Sequence, residues 1–430
     1  MTGFIKSVRG MRDLLPPETE TWNFVESAVR DLFCLYNFQE IRTPVVEDLR
    51  LFQRSVGEET DIVYKEMFAW QDRSRAESEK GQWLALRPEN TAGVVRAYIE
   101  NKLWERPGLQ RFYYIGPQFR RERPQRGRYR QFSQIGAEVI GPTSAGSESP
   151  SVDAEVLEML AALLDRLGIQ NWTLQLNSVG CSDDRQRFNE ALQAALKDVV
   201  GKMCADCQRR AQTNPLRVLD CKVAEDQPII EKLPKMADYL DEKCRTHFAE
   251  VQKILTALEI PFVLNPRLVR GLDYYTRTAF EFTHRALGAQ DAILGGGRYD
   301  GLSEALGGPA APGIGFAIGE DRLVMALQDI AGSGLRPLDV YIAPLGAGMN
   351  IEAARLAREL RRHDVTVCVG DETFRLKKSL ETASKIGARY ALIVGENEIK
   401  SGQFALKNLG TGEQITAARE NVALKVRNPG

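Results

Sequence analysis

The residue pattern with the clearest chemistry is a dense group of arginines. Six of the twelve residues at positions 119–130 are arginine, in a chain whose formal net charge is only −1. A guanidinium group is planar, stays charged and can bind a phosphate through two donors at once. The group therefore predicts a site for a polyanion such as a nucleotide or RNA, with a solvated basic turn as the simpler alternative.

Two further segments combine charged groups with hydroxyls. Residues 86–93, LRPENTAG, place the carboxylate of Glu89 and the hydroxyl of Thr91 beside a proline at the expected start of a helix. Residues 270–277, RGLDYYTR, join an arginine and paired tyrosines to the start of a strand, which would suit the wall of a polar site. Each segment also has an ordinary structural interpretation, as a helix start whose side chains accept from exposed N–H groups or as a polar strand end.

Two glycine-rich segments lack the spacing of common nucleotide-binding loops. Residues 295–301 read GGGRYDG and residues 313–319 read GIGFAIG, and neither matches GxxxxGK[ST] or GxGxxG. The second segment leads to Arg322 at the head of an expected helix, where a guanidinium could meet a phosphate or stack on a purine. Because the chain has only three histidines, none of them in these segments, we expect chemistry based on arginines and a metal ion.

Composition indicates a globular chain of two or three domains. The chain has 430 residues, of which 43% are hydrophobic and 27% charged, and domains usually hold ~100 to 200 residues. The balanced charge argues against a general nucleic-acid coat protein and confines any RNA contact to local patches. No apolar stretch approaches the ~20 residues that span a bilayer, and the first residues lack a signal-peptide core, so we expect a cytoplasmic protein that binds no membrane.

Seven cysteines, an odd number scattered over a long chain, predict reduced thiols rather than disulfides. Cys204 and Cys207 form a CxxC pair, and Cys221 with either Cys181 or Cys244 could complete a structural zinc site. The second CxxC pair that would strengthen the pattern is missing. Zinc binding by Cys204, Cys207 and Cys221 is therefore left open, and no dedicated protein cage for a metal is predicted.

The expected secondary structure places these residues in two domains. Strand-like alternation before and after the arginine group makes that group the loop of a hairpin. An amphipathic helix is predicted at 17–36, and a mainly helical module at about 182–259 interrupts the strands of a first domain, 1–330. From 336 to 430, strands alternate with helices, which is typical of a three-layer α/β domain with a largely parallel sheet.

Taken together, the motifs resemble those of histidyl-tRNA synthetases, which are class II aminoacyl-tRNA synthetases, in the same order and over almost the full chain. The matching segments are residues 9–16 (the family's start), the helix ending near 41–44 (motif 1), 118–130 (motif 2), 313–322 (motif 3), and 270–277 with 296–300 (the two histidine-specific signatures). Motifs 1 to 3 alone would indicate class II and no more.

The resemblance implies a mixed α/β (α+β) fold, in which an antiparallel-sheet catalytic domain with a helical insertion precedes a C-terminal three-layer α/β anticodon-binding domain. It also implies the reaction. L-histidine is activated with ATP and Mg²⁺ to histidyl-adenylate plus pyrophosphate, and histidine is then transferred to the 3′ end of tRNA(His). Motif 1 implies a homodimer, and no flavin, nicotinamide or haem is implied.

The matched positions carry the family's roles onto this sequence. Arg120 and Arg270 would be catalytic, with Arg270 facing the α-phosphate as the histidine carboxylate attacks it. The contacts to ATP would be Arg120 at the α-phosphate, Glu122 at the adenine, and Arg322 at the γ-phosphate and adenine. The histidine-binding residues would be Glu89, Thr91 and Gln134 at the α-ammonium group, Glu138, Tyr275 and Tyr299 at the imidazole, and Arg270. The acceptor end of the tRNA would be contacted by Arg123, Gln125, Arg128 and Arg130.

Two departures and two alternatives accompany this interpretation. Asn90 stands where the family more often has glycine, which could shift a turn, and Ser133 stands where it often has histidine. The main alternative is the synthetase-like regulatory subunit of ATP phosphoribosyltransferase in histidine biosynthesis, which usually lacks the signature around Arg270 and the C-terminal domain. Class II synthetases for proline, threonine or glycine share motifs 1 to 3 but are disfavoured by the signatures at 270–277 and 295–301.

Overall fold

The computed structural model divides the chain into two units, residues 1–333 and 334–430. It describes residues 4–57, 60, 62–72, 81–269, 272, 274–284, 292–328 and 338–427. Over those residues, no helix combines the length and the apolar character that a membrane crossing requires.

The first unit is built on a large sheet with helices on one face. Its strands are β1 Gln39–Glu40, β2 Val46–Asp48, β3 Ala69–Gln71, β4 Trp83–Leu86, β5 Gln110–Phe119, β6 Gln131–Ile140, β7 Trp172–Ser178, β8 Phe262–Leu264, β9 Thr276–His284, β10 Ala292–Arg298 and β11 Gly313–Gly319. Its helices are α1 Glu18–Leu35, α2 Leu49–Val56, α3 Thr91–Glu100, α4 Pro150–Arg166, α5 Ser182–Lys197, α6 Ala205–Thr213, α7 Gln227–Ile230, α8 Glu242–Ala257, α9 Leu302–Ala305 and α10 Glu320–Gln328.

Eight of these strands form one sheet in the order β1-β5-β6-β11-β10-β9-β7-β8. Every pairing is antiparallel except those at the two edges, β1 with β5 and β7 with β8. The predicted antiparallel-sheet fold is thus confirmed, and so is the hairpin, whose strands pair from Gln110 with Ile140 to Phe119 with Gln131. Strand β5 runs four residues beyond the predicted end at 115, whereas β6 begins two residues after the predicted start at 129.

One face of this sheet packs on α1, α4 and α10. Alternate residues of the central strands, such as Ile135 and Phe316, are buried with the apolar stripes of the three helices. Phe33 of α1 lies edge-on to Tyr113 and Phe316, with ring centroids 5.7 and 5.9 Å apart. Burying a phenylalanine of this kind stabilises the fold by about 2 to 3 kcal/mol. The long helix predicted at 17–36 is therefore present because its apolar stripe closes this core.

The helical insertion lies between β7 and β8. Its last helix, α8, joins the main core through Val251 and Leu255, whereas the remainder has a separate apolar cluster around Phe188. Between α5 and α8 the chain forms only the nine-residue α6, the four-residue α7 and single turns of 3₁₀-helix among the residues described. The module is helical as predicted, but its centre has little regular structure.

The second unit is a three-layer α/β sandwich. Its strands are β12 Leu338–Leu345, β13 Val367–Val369, β14 Ala388–Gly395, β15 Gln403–Asn408 and β16 Gln414–Ala418, and its helices are α11 Met349–Arg361, α12 Leu376–Lys385, α13 Glu396–Ser401 and α14 Val422–Arg427. Strands β13, β12 and β14 are parallel, and β15 and β16 extend the sheet in antiparallel fashion. The three layers are as predicted. Strand β16 was not predicted, because its apolar alternation is short and weak.

Candidate active site

Strand register produces a trough on the face of the large sheet opposite α1 and α4. Glu138 on β6 lies beside Gly315 on β11, which lies beside Gly297 on β10. Two residues further along, Gly136 lies beside Ala317. Because successive side chains in a strand point to opposite faces, all of these positions share the trough face. Its floor is therefore made of backbone and small side chains, with Glu138 projecting from it.

Glycine in these strands provides space for neighbouring side chains. A Cβ atom on Gly315 would lie 1.7 Å from Oε2 of Glu138, and one on Gly136 would lie 2.3 Å from the hydroxyl of Tyr114. A Cβ atom on Gly297 would lie 2.9 Å from the ring of Tyr275. The two glycine-rich segments that did not match phosphate-binding loops are thus strands that let buried polar side chains approach the sheet.

Glu138 is fully buried and has two hydroxyl partners. Thr91 Oγ1 donates to Oε1 at 2.7 Å, and the hydroxyl of Tyr299 donates to Oε2 at 2.7 Å. Burial raises the pKa of Glu138 to about 8, although the hydroxyl donors act in the opposite direction. The carboxyl group is thus poised to change its charge close to neutral pH, which is a property typical of functional sites.

Glu89 serves the start of α3. Its carboxylate accepts the backbone N–H groups of Thr91 and Ala92 at 2.8 and 3.0 Å. Burial raises the pKa of Glu89, and these N–H groups oppose that shift. The helix-start interpretation therefore holds for Glu89, while its role toward a ligand stays a prediction. Through Thr91, the same turn connects Glu89 to Glu138.

The wall next to Glu138 is aromatic and polar. The rings of Tyr274 and Tyr275 have centroids 4.7 Å apart, and Tyr274 meets Tyr299 edge-on at 6.0 Å. Gln134, two strand positions before Gly136 on the trough face, is buried, and its Oε1 has no hydrogen-bond partner among the described residues. An oxygen of this kind can accept from a bound cation such as an ammonium group.

The arginine-rich loop closes the hairpin at one end of the trough. The backbone N–H of Arg120 donates to the carbonyl of Arg130 at 2.9 Å, and Gln125 and Arg128 bond each other across a turn. Gly127 at the centre of that turn has a φ of +74°, which favours glycine. The side chain of Arg123 is exposed. The tip can therefore be reached by a large polyanion.

Individual arginines of this group are fixed to different degrees. Nε of Arg120 donates to the carbonyl of Pro88 at 3.0 Å, and its guanidinium lies 5.2 Å from the ring centroid of Phe132. Arg128 pairs with Glu122 at 3.4 Å. Arg120 is thus pinned at the base of the loop with the remaining donors available for a phosphate.

Arg322 lies in the first turn of α10 and, with Arg128, lines an open cavity of about 660 Å³. Glu281 of β9 lines the same cavity. The structure thus brings Arg322 to the arginine-rich loop, because β11, which leads into α10, pairs with β6 of the hairpin. Arg270, predicted to be the second catalytic arginine, lies outside the described residues.

Two arginines with structural roles were not singled out in the sequence. Arg87 donates from Nη1 to the carbonyl and hydroxyl oxygens of Thr43 at 2.9 Å and from Nε to the carbonyl of Pro117 at 3.0 Å. Arg298, fully buried, pairs with Asp153 and with Asp300. Arg87 fixes the loop that carries Glu89, and Arg298 fixes the residue preceding Tyr299. Their only signal in the sequence was an arginine within an otherwise apolar or glycine-rich segment.

The two departures from the family pattern are accommodated locally. Asn90 has a φ of −121°, so no positive φ is required there, and its Oδ1 accepts the hydroxyl of Thr43 at 2.5 Å. The backbone N–H of Ser133 lies 3.4 Å from the carboxylate of Asp321. Asparagine therefore fits the turn before α3 without a positive φ.

Known proteins resemble this chain over its full length. A family model described as histidyl-tRNA synthetase matches residues 10–323, and one described as an anticodon binding domain matches residues 339–428. A histidine–tRNA ligase from Koribacter versatilis is 65% identical over 99% of this chain and 97% of its own length, and one from Solibacter usitatus is 56% identical over 98% and 99%.

Among solved structures, apo histidyl-tRNA synthetase from S. aureus has 34% sequence identity and a TM-score of 0.80, covering 99% of this chain and 100% of its own. A protein described as an ATP phosphoribosyltransferase regulatory subunit/histidyl-tRNA synthetase, from Bacillus halodurans C, is 22% identical with a TM-score of 0.65, covering 92% and 99%, and supports the fold alone. With a family model over most of its length and relatives at this level of identity, the chain belongs to the histidyl-tRNA synthetase family.

Proposed function

We propose that this chain activates L-histidine with ATP and then transfers the histidine to tRNA(His). The observation that carries the proposal is the buried Glu138, bonded by Thr91 and Tyr299, at the floor of a trough whose end is formed by Arg120. A carboxyl group with hydroxyl partners suits a ligand that carries polar ring nitrogens, and the arginines suit a nucleotide. The trough therefore offers contacts to both the histidine part and the nucleotide part of a histidyl-adenylate.

Histidine would be held with its imidazole toward Glu138, Tyr275 and Tyr299. An amino acid without a ring N–H would leave the buried carboxyl group with its two hydroxyl partners but without a ligand contact, and an unmade contact of this kind costs about 1 to 3 kcal/mol. The free oxygen of Gln134 would accept from the α-ammonium group, which Glu89 and Thr91 would also face. In this pose the α-carboxylate points along the trough toward the arginine-rich loop.

ATP would lie with its α-phosphate at Arg120, its γ-phosphate at Arg322 and its adenine near Glu122. The histidine carboxylate attacks the α-phosphorus, the bond to the β-phosphate oxygen breaks, and pyrophosphate leaves. Arg120 and Arg270 would balance the charge that develops on the α-phosphate. Mg²⁺ would be held largely by phosphate oxygens and water, which is how this ion is commonly bound without a protein cage.

The remaining assignments follow from the same family relationship. Residues 1–330, with the insertion at about 182–259, would be the catalytic domain, and residues 336–430 would bind the anticodon. Arg123, Gln125, Arg128 and Arg130 would contact the acceptor end of the tRNA. We also propose a cytoplasmic homodimer that uses motif 1 at its interface.

The decisive experiment is histidine-dependent exchange of labelled pyrophosphate into ATP, with Mg²⁺ and the other amino acids as controls. Exchange with histidine alone is the expected result. Exchange with another amino acid would mean that the pocket around Glu138 is wrongly assigned. Absence of exchange with every amino acid would favour the regulatory subunit of ATP phosphoribosyltransferase instead.

A further inference from the structure

The centre of the insertion, which has little regular secondary structure, contains a compact group of metal-binding side chains. Cys204, Cys207, Cys221 and Asp226 offer three sulfur atoms and one carboxylate oxygen, all within 4.8 Å of one another. Cys207, Cys221 and Asp226 are buried. Four donors from two separate chain segments thus converge on one point, although only the CxxC pair had a recognisable metal-binding spacing in the sequence.

The spacing of the donors suits a tetrahedral ion. Zinc–sulfur bonds of ~2.3 Å at tetrahedral angles place two sulfurs ~3.8 Å apart. The Sγ atoms of Cys204 and Cys221 are 3.9 Å apart. A disulfide would need ~2.05 Å. Three thiolates with one carboxylate are a donor set that favours zinc over harder cations such as Mg²⁺ or Ca²⁺.

Backbone N–H groups orient the donor atoms as they do in structural metal sites. The N–H of Cys207 points at Sγ of Cys204, and the N–H of Val223 points at Sγ of Cys221, each at 3.4 Å. The N–H of Cys204 donates to Asp226 Oδ1 at 3.1 Å, which links the two segments. Such outer contacts fix ligand direction and stabilise the negative charge of a bound thiolate.

A reactive pair of thiols is a weaker explanation of the same cluster. Reactive cysteines have a lowered pKa and are accessible. Cys207 and Cys221 are instead buried. A buried cluster of this kind is better suited to exchanging its protons for a cation as the module folds.

A second cluster in the insertion provides an internal comparison. Cys181, Asp184, Asp241 and Cys244 also lie within 4.8 Å. Here both carboxylates cap helices, because Asp184 accepts the N–H of Cys181 and Asp241 accepts the N–H of Cys244. Asp184 in addition pairs with Arg187 at 2.5 Å. These carboxylates are fully explained by capping and a counter-ion, and with two thiols rather than three the cluster is the poorer zinc site.

We propose that Cys204, Cys207, Cys221 and Asp226 bind one structural zinc ion that fastens the centre of the insertion. A stabilising ion is expected here on physical grounds. Small modules with little regular structure commonly require a metal or disulfides to stay folded. The ion would join the start of α6 to the segment between residues 221 and 226, across two short turns of 3₁₀-helix.

The test is metal analysis of the full-length chain, expressed with zinc and purified without chelator. We expect about one zinc per chain by mass spectrometry in the wild type and less than about a tenth of that in Cys221→Ser and Cys204→Ser. The double variant Cys181→Ser/Cys244→Ser is the matched control and should retain its zinc. Cobalt-grown wild-type protein, which needs no substitution, should show the absorption of tetrahedral cobalt with thiolate charge-transfer bands.

Several results would overturn the proposal. Wild-type protein without zinc, or with iron in its place, would do so, as would loss of zinc only in the Cys181→Ser/Cys244→Ser variant. Thiol titration in denaturant separates the redox alternative, because five reactive thiols in place of the seven cysteines of the sequence would indicate a disulfide. A cobalt spectrum without thiolate bands would likewise contradict the assignment.

Discussion

Replacing Glu138 by glutamine should make the first unit less sensitive to alkaline pH. The carboxyl group has a folded-state pKa of about 8 against an ordinary value of 4.5. Its folded pKa is therefore raised, so the folded protein holds a proton that the unfolded chain releases. The associated stability is present below pH 4.5 and is lost as the pH rises toward 8. Glutamine keeps the shape and one acceptor oxygen, replaces the other oxygen by an amide donor to which a neighbouring hydroxyl can turn its lone pair, and cannot ionise.

The size of this effect follows from the pKa difference. At about 1.4 kcal/mol per pKa unit, the wild type should lose roughly 4 kcal/mol through Glu138 between pH 5 and pH 9. A unit of 333 residues, as the first unit is, has an unfolding entropy of about 0.7 kcal/mol/K. The Tm of the variant should therefore exceed that of the wild type by about 6 °C at pH 9 and by about 1 °C at pH 5.

Differential scanning calorimetry of both proteins from pH 5 to pH 9 measures this difference directly. The comparison between proteins matters, because Glu320 is also buried with its pKa raised to about 8 and contributes equally to both. Glu281→Gln, a half-buried carboxylate on the same sheet face, is the matched control and should follow the wild type. If the Tm of the Glu138→Gln variant falls with rising pH in parallel with that of the wild type, the raised pKa of Glu138 is refuted.

Four further predictions address the proposed function. Tyr299→Phe removes a donor to Glu138, and should raise the KM for histidine by about 10-fold or more in pyrophosphate exchange, since such bonds contribute about 1.5 to 3 kcal/mol; an unchanged KM would contradict the contact. Arg270→Ala should lower kcat far more than it raises KM, because its interaction strengthens as the α-phosphate is attacked; unchanged turnover would remove its role. Deleting residues 336–430 should spare exchange while crippling tRNA charging, and equal charging would refute anticodon binding. Gel filtration should give about twice the monomer mass of 48.1 kDa, whereas a stable, active monomer would count against motif 1.

Features of the fold that depend on neighbouring residues were predictable from the sequence. The hairpin at β5 and β6 has strand-like segments with apolar and aromatic residues on either side of a polar loop, and α1 has an apolar stripe at helical spacing. Both patterns are local, so a short stretch of sequence is enough to identify them. The interruption of the sheet by the helical insertion was likewise visible as a change of period.

The composition of the trough was not predictable in this way, because it depends on register between distant strands. Thr91 and Glu138 are 47 residues apart in sequence, and Tyr299 is 161 residues from Glu138. Local periodicity does not fix which residue lies opposite which across five strands. The motif resemblance named these residues one by one, whereas their arrangement around Glu138 required the sheet.

Hydrogen-bond partners distinguish structural from functional polar residues inside the protein. Arg298 and Asp153 are both fully buried, and each has counter-charges or donors around it, including Thr278 at 2.6 Å from Asp153. Gln134 has a side-chain oxygen without a partner among the described residues, and Glu138 is held only by hydroxyls. A buried group that lacks a partner costs stability, so its retention calls for a compensating role. By that criterion Arg298 belongs to the scaffold, whereas Gln134 belongs to the proposed ligand-binding surface beside Glu138.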